Sequence, residues 1–264
     1  MSKILDLSKP QDWLKVAENV AKEVVPKHLI SRLRDSDHDE MYSDKLSFLA
    51  GVFDEEWDGG WELSERLTED FETRFLKHYT HIRAFHACRP FLGPDSYLKE
   101  GIRKASKNLI RELAHSAFGN RCEKAEIDQA VDDFEISDSD KAVWLFTDRW
   151  NATRDIQNHY LQSGSEILQA LTQKLGLYNR GHLASQSFPC LIECRIPIED
   201  VSPGFKGELW RNLITLFFKY AAGRPKLTQP MDFCIRVIED VSPGSIVKIH
   251  SLRDEELKYG TDRH

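Results

Sequence analysis

Hydrophobic residues recur at helical spacing before Tyr79, strand candidates appear only after it among further helices, and no regular strand–helix–strand rhythm is present. This change of texture constrains the fold more than any other feature. Ser8-Lys-Pro10 reads as a helix start, with Ser8 as cap and Pro10 in the first turn. Trp13, Val16, Val20 and Val24 then fall one turn apart until Pro26 interrupts. Further helices are predicted over 26–33, 42–53 and 63–79, the last two separated by the acidic, Gly-containing stretch 54–60. Apolar and other residues then alternate from Ile82 to Arg89, as in a half-buried strand that Pro90 ends.

Downstream, 95–101 reads as one or two helical turns closed by Gly101, followed by helices over 109–118 and 126–134 and a strand over 142–147. Gly164-Ser-Glu166 opens an amphipathic helix with Ile167, Leu168, Leu171 and Leu175 on one face and Gly176 as stop. Strands are predicted over 189–196 and 233–238, with a helix over 208–220 carrying Trp210, Leu213 and Phe217 between them. Ile198-Glu-Asp-Val-Ser-Pro-Gly204 returns unchanged as Ile238-Glu-Asp-Val-Ser-Pro-Gly244. The intervening segments do not match, so the repeat reads as one turn used twice at the ends of strands, not as a solenoid period. Late strands separated by helices of uneven length predict an α+β fold. The expected organisation is a helical N-terminal region, 1–80, packed on an α+β domain, 81–264. No G-x-G-x-x-G and no P-loop lysine occur, which disfavours Rossmann and nucleotide-triphosphatase folds.

Composition narrows the classes of function. With 41% hydrophobic and 30% charged residues the chain is of globular type. No apolar run reaches about 18 residues and Met1-Ser-Lys leads into no apolar signal segment, so a cytoplasmic protein with no membrane partner is expected. Five widely spread cysteines without a CxxC pair argue against a disulfide framework and against zinc, and no metal is expected. A net charge of −7 with no Lys/Arg run argues against a large footprint on a long duplex, while leaving nucleic acid open as a substrate. The acidic stretches 35–40, 54–58 and 132–140 read as solvated loops or helix caps.

The densest candidate chemistry is His86-Ala-Cys-Arg89, with Ser96-Tyr97 and Gly101 close behind. On a strand His86 and Cys88 share one face, and Ala87 and Arg89 the other. Small Ala87 and Cys88 beside an imidazole allow a flat ligand to approach the backbone. By residue type alone, a core histidine and a surface arginine are the more ordinary explanation.

In order, Phe85-His-Ala-Cys-Arg-Pro90, Ser96-Tyr97 and Gly101-Ile102 resemble the opening of diphtheria-toxin-like and PARP-like ADP-ribosyltransferases. There a strand carries a His-small-Thr/Cys motif, and after it comes a helix ending in Gly plus an aliphatic residue. Asn158-His-Tyr160-Leu-Gln-Ser-Gly-Ser-Glu166 resembles the family's tyrosine strand and serine-bearing helix start. Segments 190–198 and 231–238 resemble its later strands, so the likeness runs in fragments from Arg83 to Ile249.

The resemblance implies a split mixed or antiparallel sheet and NAD as substrate. It implies that His86 anchors the adenosine ribose, that the Ala87 backbone grips the nicotinamide amide beside Cys88, and that Tyr160 stacks on the nicotinamide. Arg89 is placed to pair with the pyrophosphate, and Tyr97, Ser163 and Ser165 join the cofactor-binding set. The family's catalytic glutamate position holds Asp232, with Gln229 three residues earlier. Glu166, close after Tyr160, is the other candidate acid, and mid-strand Glu193 a third. The implied activity is transfer of ADP-ribose to a macromolecular acceptor, protein or single-stranded nucleic acid, by a bacterial toxin or anti-phage effector that an antitoxin could restrain. Two alternatives stay open: an NAD glycohydrolase, and a catalytically degenerate interaction protein whose N-terminal region, with Trp57 and Trp61, binds a partner.

Overall fold

The fold is described from a computed structural model that covers residues 3–24, 60–153, 159–177, 180–221, 234–253 and 257. The predicted helices over 26–33 and 42–53, the acidic stretches 35–40 and 54–58, Trp57, the Trp61 side chain, Gln229 and Asp232 lie outside the described residues.

The chain is α+β, and its described residues form one sheet of six strands. Its strands are β1 (Lys3–Leu5), β2 (Tyr79–Cys88), β3 (Val143–Phe146), β4 (Cys190–Pro197), β5 (Cys234–Val237) and β6 (Ile246–Ser251). The order is β5-β3-β2-β4-β6, with β1 attached to β2. β1 runs parallel to β2, whereas β2–β3, β3–β5 and β4–β6 are antiparallel. β2 hydrogen-bonds to both β3 and β4, so the ladder runs from β5 through to β6. Ten residues give β2 the length to serve neighbours on both edges.

The helices are α1 (Pro10–Val24), α2 (Gly60–His78), α3 (Asp95–Glu100), α4 (Lys107–Phe118), α5 (Lys124–Asp132), α6 (Arg149–Thr153), α7 (His159–Ser163), α8 (Glu166–Lys174), α9 (Arg180–Gln186) and α10 (Pro203–Ala221). Two compact units emerge. The first comprises 1–82 with 197–233, the second 83–196 with 234–264. The second unit begins at residue 83, and α10 belongs with the N-terminal helices in the first. Its aromatic residues explain why. Trp210 lies 5.9 Å from Phe75, and Trp13 meets Tyr220 edge-on at 6.5 Å. Phe71, Phe75 and Tyr79 stack in sequence along the same core.

The second unit builds a helical layer from α4, α5, α8 and α9, whose core includes Ile110, Phe118, Ile127, Leu168 and Leu171. α8 starts at an N-cap, Ser165, whose hydroxyl accepts from Ile167 N, and ends before Gly176 at φ 69°. The 132–140 stretch is indeed cap and turn: Asp132 pairs with Arg111, Asp138 with Lys141, and Asp140 accepts from Ser137.

The repeated heptapeptide does leave two strands, β4 and β5, but its copies then diverge. The first passes through Pro203 into the 19-residue α10. The second forms a two-way bridge between Val241 and Ile102, a short 3₁₀ turn, and then β6. The residues downstream of each copy decide its fate: Trp210, Leu213 and Phe217 repeat at helical spacing, while Ile246 opens an extended run.

Candidate functional site

The C-terminal end of β2 opens into a pocket of about 450 Å³. This lies within the range of small-molecule sites, roughly 300–1,000 Å³. Eight sequence-marked residues line it: His86, Ala87, Cys88, Arg89, Tyr97, Tyr160, Ser165 and Glu166. They come from two stretches far apart in sequence, 86–97 and 160–166, both in the second unit. Ser163, the last residue of α7, is not among the lining residues. Trp144 and Phe91 add further aromatic surface, and Glu100, Arg103 and Asp140 supply charge.

His86 Nδ1 lies 3.1 Å from the Trp144 carbonyl of β3. A carbonyl only accepts, so Nδ1 carries the proton. Burial pushes the imidazole pKa down, and the Trp144 contact opposes this only in part. The ring is therefore neutral at pH 7 and keeps a lone pair on Nε2, an acceptor for a hydroxyl. Cys88, on the same face, receives a hydrogen bond from the Tyr97 hydroxyl. Burial nevertheless holds the thiol pKa up at about 12. Cys88 is a wall of the pocket, not a nucleophile.

Tyr97 is positioned by a chain of turns. Gly93 (φ 82°) donates its N–H to the Pro90 carbonyl, and the Ser96 hydroxyl caps the Gly93 carbonyl at 2.6 Å. α3 then closes with Gly101 N–H on the Tyr97 carbonyl, 2.8 Å. At Gly101 (φ 78°) a Cβ would stand 2.0 Å from the Val241 carbonyl oxygen, so glycine is required both by conformation and by space. The second heptapeptide copy thus clamps the end of α3. Asp240 also accepts from the Lys104 N–H, and Glu239 pairs with the Lys104 ammonium.

Two expectations are corrected. Arg89 does not present its guanidinium to a pyrophosphate: it is buried, and donates to the carbonyls of Leu161 (2.5 Å), Ala184 (2.8 Å) and Ser187. A side chain drawn inward by three orphan carbonyls is a positioning residue, here fixing α7 against the end of β2. Tyr160 stands on α7, not on a strand. The turn is helical because Gly164 (φ 77°) returns its N–H to the Tyr160 carbonyl, 3.0 Å. A Cβ there would lie 3.2 Å from the Phe91 ring.

Burial, with Glu166 next in weight, raises the Tyr160 phenol to about 12, so it stays protonated. Glu166 is exposed at the pocket rim, and its Oε1 lies 3.1 Å from His159 Nε2. The His159 and Tyr160 rings are 4.0 Å apart at 37°. His159 escaped the sequence reading. Its i, i+7 spacing to Glu166 across a glycine break is its only signal there.

Glu193 is engaged elsewhere: Arg83 Nε donates at 2.9 Å and His250 Nε2 at 3.1 Å. Burial pushes its carboxyl pKa up, but these two partners outweigh it and leave the group below its ordinary value. Among the described residues no helix is long and apolar enough to cross a membrane. No family model, curated protein or solved structure matches the chain.

Proposed function

We propose that the pocket at the end of β2 binds NAD and that the chain transfers ADP-ribose from it to a macromolecular acceptor, on a sheet of ADP-ribosyltransferase type. The observation that carries this reading is the convergence of His86–Arg89, Tyr97, Tyr160 and Ser165-Glu166 on one pocket. Two stretches marked by one resemblance, 86–97 and 160–166, thus face one cavity. In this reading His86 Nε2 accepts from a ribose hydroxyl. Tyr97, Trp144 and Tyr160 supply the aromatic surface that a nicotinamide needs, since it is cationic before bond cleavage and neutral after it. Cleavage passes through a ribose with oxocarbenium character, which a nearby carboxylate stabilises. Glu166 is the described candidate for that role.

Hydrolysis of NAD is the second reading, favoured by the exposure of Glu166 at the rim, where water has access. Incubation of the purified protein with NAD labelled in the adenosine, with and without cell lysate, separates the two. Label retained on protein or RNA is expected for transfer, and free ADP-ribose for hydrolysis. NAD left intact, or activity retained by both His86→Ala and Tyr160→Ala, contradicts the proposal.

A further inference from the structure

We infer that His159 is the catalytic base of this site, held by Glu166, and that the acceptor is a nucleophile that must lose a proton as it attacks, as water and other O–H groups do. The inference rests on the NAD reading and specifies the class of acceptor within it.

His159 and Glu166 sit on two short-linked helices, α7 and α8, with Nε2 and Oε1 3.1 Å apart. A carboxylate only accepts, so Nε2 bears the hydrogen and a neutral ring keeps its lone pair on Nδ1. The carboxylate fixes the tautomer and offsets the charge that the ring acquires on protonation, the same division of labour found wherever a carboxylate orients a histidine base. Stability does not explain the pair. Both side chains are exposed (44% and 65%), and ion pairs of this kind contribute little to folding. Its location is informative instead: Glu166 and Tyr160 both line the pocket, and His159 touches each of them. His159 does not itself line the pocket, but stands directly beside the residue proposed to stack on nicotinamide. The remaining carboxylates on the rim have other partners: Glu100 pairs with Arg103, and Asp140 caps the Ser137 turn.

The step balances without a further reactant. The acceptor oxygen attacks the anomeric carbon, the new C–O bond forms, and the C–N bond breaks with its electron pair returning to the nicotinamide ring. The acceptor's proton passes to His159 Nδ1 and then to solvent. An acceptor already ionised, such as a carboxylate, needs no such base.

The test measures nicotinamide release from NAD by the wild-type chain, His159→Ala and His159→Gln, with water as acceptor and with added sodium azide. Azide is an anionic nucleophile that needs no base. Loss of a general base is expected to slow release to water by about 100-fold or more. NAD affinity, read by titration calorimetry, should stay within about twofold. Azide should restore release in both variants as the glycosyl azide forms, while accelerating the wild type little. A merely structural histidine is not rescued by azide. Release to water unchanged in both variants, or lost without azide rescue while NAD still binds, overturns the inference and leaves NAD binding standing. If the wild-type chain neither binds nor cleaves NAD, the functional reading falls and this inference with it.

Discussion

The three carbonyls that Arg89 serves give its side chain a measurable structural weight. Each acceptor left buried without a donor costs about 1–3 kcal/mol. Only the Leu161 carbonyl is fully buried, so Arg89→Met is expected to lower stability by about 1–3 kcal/mol in urea unfolding, and Arg89→Lys, which lacks the planar fork, to recover only part of it. An arginine kept for a ligand alone would leave the unfolding midpoint unmoved. Cys88 gives a second residue-scale prediction. With its thiol at about 12, almost none is ionised at pH 8. Iodoacetamide should leave Cys88 unmodified in the folded protein and label it once urea unfolds the chain, as read by peptide mass spectrometry. His86 adds a pH dependence. Its folded pKa is lowered by burial, so the unfolded state binds its proton more readily. The associated stability is complete above about pH 6.5, the unperturbed histidine value. It is lost as pH falls from there toward the lowered folded value. His86→Gln should flatten that part of the profile of unfolding midpoint against pH.

At the scale of elements, the end of α3 is the tightest constraint on the site. Gly101→Ala must leave a φ of 78° or meet the Val241 carbonyl. Positive φ alone costs a non-glycine residue about 1–2 kcal/mol. With the clash added, a loss above about 2 kcal/mol is expected in thermal unfolding, together with weaker ligand binding through displaced Tyr97. A Gly101→Ala protein with unchanged Tm would show that the clamp by the second heptapeptide copy is not formed. The same elements explain how much was legible in the sequence. Alternation marked β2, and helical spacing marked α1 and α8, where one face of each helix is buried. α7 was not legible as a helix. Five residues are too few to display a period, and they are made helical by a glycine at φ 77° and an arginine from another strand. β6 was missed for a related reason: its burial does not alternate, running from half-buried to exposed without a core face. Arg89 looked like a surface cation because nothing local announces three carbonyls brought to it from residues 161, 184 and 187.

For the whole molecule, the pocket at the end of β2 lies within one of the two units. Trp210 is fully buried in the first unit, and every residue lining the pocket belongs to the second. Trp210→Ala should cost about 3–5 kcal/mol of stability by the usual penalty for emptying an aromatic site. A net charge of −7 and the absence of a basic run predict no retention on a long DNA duplex at physiological salt, as tested by filter binding. We propose that the pocket at the end of β2 is an NAD site built around His86. Titration calorimetry of NAD into the wild-type protein and into His86→Ala tests it most directly. Saturable binding of one NAD per chain is predicted, weakened about tenfold in the variant, the scale of one hydrogen bond of about 1.4 kcal/mol. No binding of NAD by the wild-type chain, or equal affinity in the two proteins, would contradict the account.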